Sequence, residues 1–116
     1  MLLKMNKMKN QKGFTLIELM IVIAISAYRK RSYDSSAQSD LRNAATAQEA
    51  YFVDASEYAD TSATLIGATY GLYLSDKVVF SVRNATGESY SMKAQHPSGE
   101  HSYIIKGPGG SVSKYN

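Results

Sequence analysis

Apolar and polar positions divide the first half of the chain into two segments with different patterns. Residues 14–28 are apolar at every position except Thr15, Glu18 and Ser26. Farther along, apolar and small residues recur at steps of three and four, which is the periodicity of one helix face. These positions are Ala37, Leu41, Ala44, Ala45, Gln48, Tyr51, Phe52, Ala55 and Tyr58.

The same half of the chain lacks helix breakers. No Gly or Pro occurs between Gly13 and Gly67, and such a stretch favours one continuous helix. We therefore expect a helix from about residue 14 to about residue 54, roughly 60 Å long at 1.5 Å per residue. It is expected to be apolar nearly all round in its first half and amphipathic in its second. The predicted polar face of the second half carries Asp40, Arg42, Asn43 and Glu49.

Three strand-like runs follow, separated by turn residues. The runs are Lys77–Val82, Ser89–Gln95 and Ser102–Lys106. Turn sequences at residues 84–87 and 97–99 predict hairpins between them. Two shorter segments stay open: residues 72–74 as a further short strand, and residues 111–116 as either a frayed end or an edge strand.

These elements predict an α+β fold in which an antiparallel β-meander packs against the amphipathic half of the helix. A chain of 116 residues holds one such domain and not two. The expected core joins residues of the helix to residues of the strands: Leu41, Tyr51 and Phe52 to Val79, Phe80, Met92 and Ile105.

A carboxylate lies inside the apolar segment. A charge near the middle of a lipid-facing helix costs about 2.5–3.5 kcal/mol on insertion scales, so Glu18 requires a role and a partner. Glu18 ends the sequence Gly-Phe-Thr-Leu-Ile-Glu, which occupies residues 13–18. With the apolar run that continues it, the segment Lys12–Ile25 resembles the N-terminus of the type IV prepilin family, whose signature this hexapeptide is.

The resemblance implies how the N-terminus is processed and used. A prepilin peptidase and N-methyltransferase would cleave after Gly13 and methylate the new N-terminal residue, Phe14. Glu18 lies one helical turn farther on the same face, where it would balance the charge of this amine or of a neighbouring subunit's amine. The apolar side chains around it would form the core of a helical filament of identical subunits: Leu16, Ile17, Leu19, Met20, Ile21, Val22, Ile23 and Ile25.

Processing of this kind divides the chain into four parts. They are a leader at residues 1–13, an apolar helix half at 14–28, an amphipathic helix half at 29–58 and a β head at 59–116. The resemblance implies a precursor in the inner membrane, extracted by an assembly machinery into a pilus at the cell surface.

The apolar half departs from the family in length. Residues 14–28 span about 22 Å as a helix, against a hydrocarbon core of about 30 Å, and they lack the Gly and Pro usual in this part of the family. The basic residues that follow, Arg29–Arg31, are interpreted as a solvated collar beside the membrane.

The charge balance changes along the chain. Of the thirteen Lys and Arg residues, four precede Gly13, whereas all ten Asp and Glu residues follow it. Cleavage after Gly13 would leave nine basic and ten acidic residues, a formal charge of −1. The basic character therefore belongs to the leader, and it does not indicate a specific nucleic-acid partner.

No catalytic constellation stands out in the sequence. There is no Cys, the two His residues share one turn, and neither a nucleophile elbow nor a phosphate-binding Gly-rich loop is present. We therefore expect a structural protein that is not an enzyme and needs no cofactor.

Two groups of polar residues could in principle bind metal ions. His96, Glu100 and His101 lie around one turn, and Asp54, Glu57 and Asp60 follow one another at the end of the helix. The first group is interpreted as exposed turn residues and the second as solvated acids, so no metal site is predicted.

Three alternatives to a pilus subunit follow from the same residues. Within the family, a pseudopilin of a type II secretion system uses the same N-terminus and forms a short periplasmic filament. An uncleaved N-terminal anchor with basic cytoplasmic flanks explains the apolar run without processing. A monomeric binding domain tethered to the membrane by its helix explains the head without a filament.

Overall fold

The computed structural model describes residues 11–115, with side chains from residue 17 onward. One long helix, α1, spans Gln11–Ala55 and is followed by a single helical turn, α2, at Ser62–Leu65. Four strands complete the described part of the chain: β1 (Val79–Ala85), β2 (Tyr90–Gln95), β3 (Ser102–Gly107) and β4 (Ser113–Lys114). The predicted α+β fold with a long N-terminal helix is confirmed, and α1 begins three residues earlier than expected.

The four strands form one antiparallel meander in the order β1-β2-β3-β4. Val79 pairs with Gln95 across the first hairpin, and Met92 pairs with Ile105 across the second. The register shifts between Val82 and Asn84, which is a β-bulge that leaves Arg83 without an opposite residue. The end of the chain adds a short edge strand, since Ser113 and Lys114 pair with β3.

The core lies between one face of α1 and the inner face of this sheet. Three alanines and one leucine of α1 are fully buried, and their small size lets the sheet approach the helix closely. The strands contribute Phe80, Met92 and Ile105 to the same cluster, as expected from the sequence. The buried apolar residues of the helix are Ala37, Leu41, Ala44 and Ala47.

One strand residue predicted for the core is exposed. Val79 is 64% exposed, whereas Val78 and Phe80 on either side of it are buried. Side chains alternate between the two faces of a strand, so Phe80 and Val79 cannot both face the helix. The expectation that Val79 packs in the core was wrong.

The loop between α1 and β1 completes the core without a further strand. Leu65 and Leu72 are fully buried, and Ile66 forms only an isolated parallel bridge with Leu72. Gly67 and Gly71 adopt φ values of +121° and +81°, which reverse the chain between them in a conformation that side chains disfavour. The possible strand at residues 72–74 is therefore a single bridge within a folded loop.

Candidate functional site

The apolar part of α1 projects beyond the head. Every apolar residue described here that was predicted for a filament core is exposed, and the side chain of Met20 is 70% exposed. The exposed residues are Ile17, Leu19, Met20, Ile21, Val22, Ile23 and Ile25. The side chains of Phe14 and Leu16 lie outside what the structure describes, and Gly13 is described only as part of the α1 backbone.

We call this exposed segment, residues 17–28, the rod. Contiguous exposed apolar surface of this kind marks a place where another molecule or a lipid phase binds. Among the residues the structure describes, no helix combines the length and the apolar character needed to cross a membrane.

Glu18 is exposed within the rod, surrounded by exposed apolar neighbours. The helix is continuous through this region, so residues 14 and 18 of the backbone are one turn apart. The pairing of Glu18 with the amine of Phe14 stays a prediction.

Three buried polar side chains join the second half of α1 to the head, and the first is Asp34. Its Oδ1 accepts the backbone N–H of Glu100 at 2.8 Å and that of His101 at 3.3 Å. A side chain at Gly99 would overlap with this oxygen, so the turn between β2 and β3 approaches the helix where glycine leaves room.

The second polar side chain is Asp40, which is only 2% exposed. Its Oδ2 accepts the backbone N–H of Ser75 at 2.8 Å, and its Oδ1 accepts the hydroxyl of Ser75 at 2.9 Å. Asp40 was expected on the polar face of the helix, and this expectation was wrong. The loop before β1 covers it and satisfies both of its oxygens.

The third is Gln48, which is fully buried. Its Oε1 accepts the backbone N–H of Ala59 at 2.8 Å, and its Nε2 donates to the backbone carbonyl of Ala59 at 2.9 Å. The same Nε2 lies 3.8 Å from Sδ of Met92. Gln48 thereby binds the segment after the helix and touches the centre of the sheet.

We call Asp34, Asp40 and Gln48 the buried latches. They lie on the same broad helix face as Ala37 and Leu41. The sequence marks them only as polar residues on an otherwise apolar face.

Two further helix carboxylates bind tyrosines nearer the surface. Glu49 accepts the hydroxyl of Tyr58 at 3.3 Å, and Asp54 accepts that of Tyr70 at 3.0 Å.

Burial and nearby carboxylates raise the pKa of four tyrosines where the helix meets the head. Burial raises the pKa of Tyr58 and of Tyr90 above the usual 10.0, and the Glu49 carboxylate raises both further. Burial also raises the pKa of Tyr103, with the charge of Asp34 as the next cause. The hydrogen bond to Asp54 is the main cause that raises the pKa of Tyr70.

The turn at residues 96–101 is less exposed than the sequence suggested. His96 is 5% exposed, and its ring stacks on Tyr33 with centroids 4.1 Å apart. Its Nδ1 accepts the backbone N–H of Ser98 at 3.0 Å, which stabilises the turn. The interpretation of this histidine as an exposed turn residue was wrong, because the helix residue Tyr33 covers it.

Neither of the two polar groups considered for metal binding forms a metal site in residues 11–115. In this part of the chain, no three His, Asp or Glu side chains lie close enough together to hold an ion. Asp54, Glu57 and Asp60 are exposed, although Asp54 also binds the hydroxyl of Tyr70.

Two comparisons of the sequence with known proteins bear on what the rod and the head are. Residues 8–27 match the family described as the prokaryotic N-terminal methylation motif. The chain is also 40% identical, over 105 aligned residues, to the type IV wide pilus major component PilA4 of Thermus thermophilus. That alignment covers 79% of each chain. The structure has a long helix, whose first part is an exposed apolar rod, and a small head built on a meander. Together with the 40% identity to PilA4, these features show that the chain belongs to the type IV pilin family.

Proposed function

We propose that this chain is the structural subunit of a type IV pilus, made as an inner-membrane precursor and trimmed after Gly13. The cleaved subunit then joins a helical filament through its rod. The observation that carries this proposal is the rod itself, which projects beyond the head with its apolar side chains exposed.

Burial of the rod holds the assembled filament together outside the membrane. There, each Leu, Ile, Val or Met side chain that is buried in a bundle of neighbouring rods, and not exposed to water, contributes about 1.5–3 kcal/mol. Seven such side chains are exposed between Ile17 and Ile25, so the rod has the surface needed for repeated lateral contacts.

Glu18 would fix the relative height at which neighbouring rods pack. Cleavage after Gly13 creates an amine at Phe14, at the helix end where the macrodipole disfavours a cation. Within an apolar bundle, a carboxylate one turn away offsets that charge, in the same copy or in the next. A copy that enters at another height leaves Glu18 buried against apolar side chains, which is unfavourable.

The buried latches support the same function because they attach the head to the helix. Asp34, Asp40 and Gln48 fix the head to the helix at three heights, so a force on the rod is transmitted to the head. The head then carries the filament surface, while the rods form its axis.

The Thermus thermophilus relative is a major component of a wide pilus, which favours a pilus over a secretion pseudopilus. The proposed partners are further copies of this chain, a prepilin peptidase and N-methyltransferase, the membrane and the pilus assembly machinery. The proposed final location is the cell surface.

Mass spectrometry of the N-terminus of the native protein tests the proposal. We expect sheared surface filaments to contain a chain that begins with N-methylated Phe14. The Gly13→Leu variant should keep its leader, because a side chain crowds the bond that the peptidase cleaves, and it should give no filaments. A native protein that begins at Met1 and stays monomeric in the membrane at high density would contradict the proposal.

A further inference from the structure

Two surfaces at different heights of the molecule complement each other. The first is a cleft of about 380 Å³ where the rod meets the head, which we call the basal cleft. Its lining has an apolar part, which we call the floor, and a charged part, which we call the rim. The floor is Val22, Ile23 and Ala27, the rim is Lys30, Arg31 and Glu100, and Ser26 completes the lining. Arg29 precedes this rim and is also exposed, so three cations and one carboxylate lie at the base of the head.

The second surface is the end of α1 and the residues after it, which we call the acidic tip (residues 53–60). Val53 is 81% exposed, a large fraction for an apolar side chain at a helix end. Asp54, Glu57 and Asp60 are exposed in the same segment, and Asp54 also accepts the hydroxyl of Tyr70 at 3.0 Å. The tip therefore combines one apolar side chain with three acids, and the basal cleft combines an apolar floor with a mainly basic rim.

The spacing of the two surfaces fits a staggered arrangement of copies. Lys30 and Asp54 both lie in α1, and 24 residues of helix separate them by about 36 Å. The longest dimension of the molecule is 71 Å. Two parallel copies shifted by about half a molecular length would bring the tip of one to the level of the cleft of the other.

We infer that in the filament the acidic tip of one copy seats in the basal cleft of another, with Val53 on the apolar floor and the acids against Lys30 and Arg31. This inference rests on the proposed function, since it requires parallel copies. It gives the basic residues 29–31 a partner other than solvent. Electrostatic complementarity of this kind sets the register and excludes wrong neighbours more than it adds affinity.

Zero-length carbodiimide cross-linking of wild-type filaments tests the contact directly. The reagent joins a lysine amine to a carboxylate in direct contact. Within one copy, about 36 Å of helix separates Lys30 from Asp54, and Ala59, next to Asp60, is bound to Gln48, about 27 Å along the helix from Lys30. Any such link must therefore connect two copies. We expect a link from Lys30 to one of these acids in filaments and none in detergent-dispersed monomers.

Filaments whose other inter-copy links are detected, with none from Lys30 to residues 54–60, would overturn the inference and leave the proposed function intact. The same result, together with weaker membrane binding of the Lys30→Gln variant, would assign the basic residues to lipid phosphates instead. Absence of filaments from the wild-type protein would count against the proposed function.

Variants in which the charges of the basal cleft and the acidic tip are exchanged test the same contact in a second way. The pair Lys30→Glu and Arg31→Glu should lower filament yield about tenfold, and adding Glu57→Lys and Asp60→Lys should restore it. Arg42→Glu is the control, since Arg42 is exposed on the helix between the two surfaces and belongs to neither. Equal filament yields from the reversed pair and from the control would overturn the inference. If the reversed pair does not accumulate in cells, the cross-linking of wild-type filaments decides.

Discussion

The side chain of Gln48 makes both of its amide hydrogen bonds to the backbone of a single residue, Ala59. The carboxamide accepts from the Ala59 N–H and donates to the Ala59 carbonyl, as a neighbouring strand would. Gln48 and Ala59 are both buried, so water cannot replace either partner. The end of the helix is thus attached to the start of the head through one side chain.

Replacing this amide by an apolar side chain should destabilise the head. Gln48→Leu leaves the N–H and the carbonyl of Ala59 buried without partners, and we expect a loss of about 3 kcal/mol in the free energy of unfolding. Urea unfolding of the full-length protein in detergent, followed by circular dichroism, measures it. Asn43→Leu, an amide change on the exposed face of the same helix, is the control and should change stability by less than about 0.5 kcal/mol. Equal losses from the two variants would show that the paired hydrogen bonds add nothing.

Asp34 should tolerate an isosteric change better than a truncation. Its Oδ1 accepts two backbone N–H groups of the β2–β3 turn, and asparagine can still offer one carbonyl oxygen there. We expect Asp34→Ala to cost about 2 kcal/mol of stability and Asp34→Asn about 1 kcal/mol or less. The same unfolding measurement checks the order, and amide hydrogen exchange at Glu100 and His101 locates the change. Faster exchange throughout the sheet, with none specific to this turn, would argue against a local latch.

The buried tyrosines should make the head sensitive to alkali. The pKa values of Tyr58, Tyr90 and Tyr103 are raised in the folded state, chiefly by burial, so the unfolded chain loses these protons first as the pH rises. Their contribution is fully present below about pH 10 and is lost as the pH rises from 10 towards the folded-state values. Thermal unfolding between pH 8 and pH 11.5 should show a falling Tm above about pH 10.

Single tyrosine variants assign this effect. Tyr103→Phe should make the alkaline fall in Tm shallower, because one group with a raised pKa is removed. Tyr73→Phe changes an exposed tyrosine and should leave the slope as in the wild-type protein. A slope that is the same in all three proteins would mean that Tyr103 does not contribute to the loss of stability.

Glu18 should affect assembly and leave the fold of the head unchanged. It is exposed in the rod, away from the core, so Glu18→Ala is expected to insert, to be cleaved and to keep the wild-type Tm. Because the amine of Phe14 then lacks its carboxylate, we expect about a tenfold loss of sheared filaments relative to cell-associated protein on immunoblots.

Two further variants separate charge from size at this position. Glu18→Gln should lose filaments as Glu18→Ala does, since the charge and not the volume is needed. Ser26→Ala, another polar-to-apolar change on the exposed rod, should assemble normally. Normal filament yield from both Glu18 variants would exclude the proposed pairing.

The sequence by itself determined the elements of this protein. A breaker-free first half produced one helix, three short runs with turn residues between them produced a meander, and residues 13–18 pointed to the family. These features depend on neighbours within a few residues, because helical periodicity, strand alternation and turn chemistry are local properties. They are therefore visible without knowledge of which parts of the chain meet.

Only the tertiary structure decided which polar residues are buried and what they bind. Asp40 meets Ser75, 35 residues away, and Asp34 meets the turn at Glu100, 66 residues away. A carboxylate has the same local pattern whether water or a returning loop covers it, so the sequence placed Asp40 on the wrong face. His96 was misjudged for the same reason, since Tyr33 on the helix covers its ring. These polar contacts add to the hydrophobic core that joins the head to the helix, and only the fold brings their distant partners together.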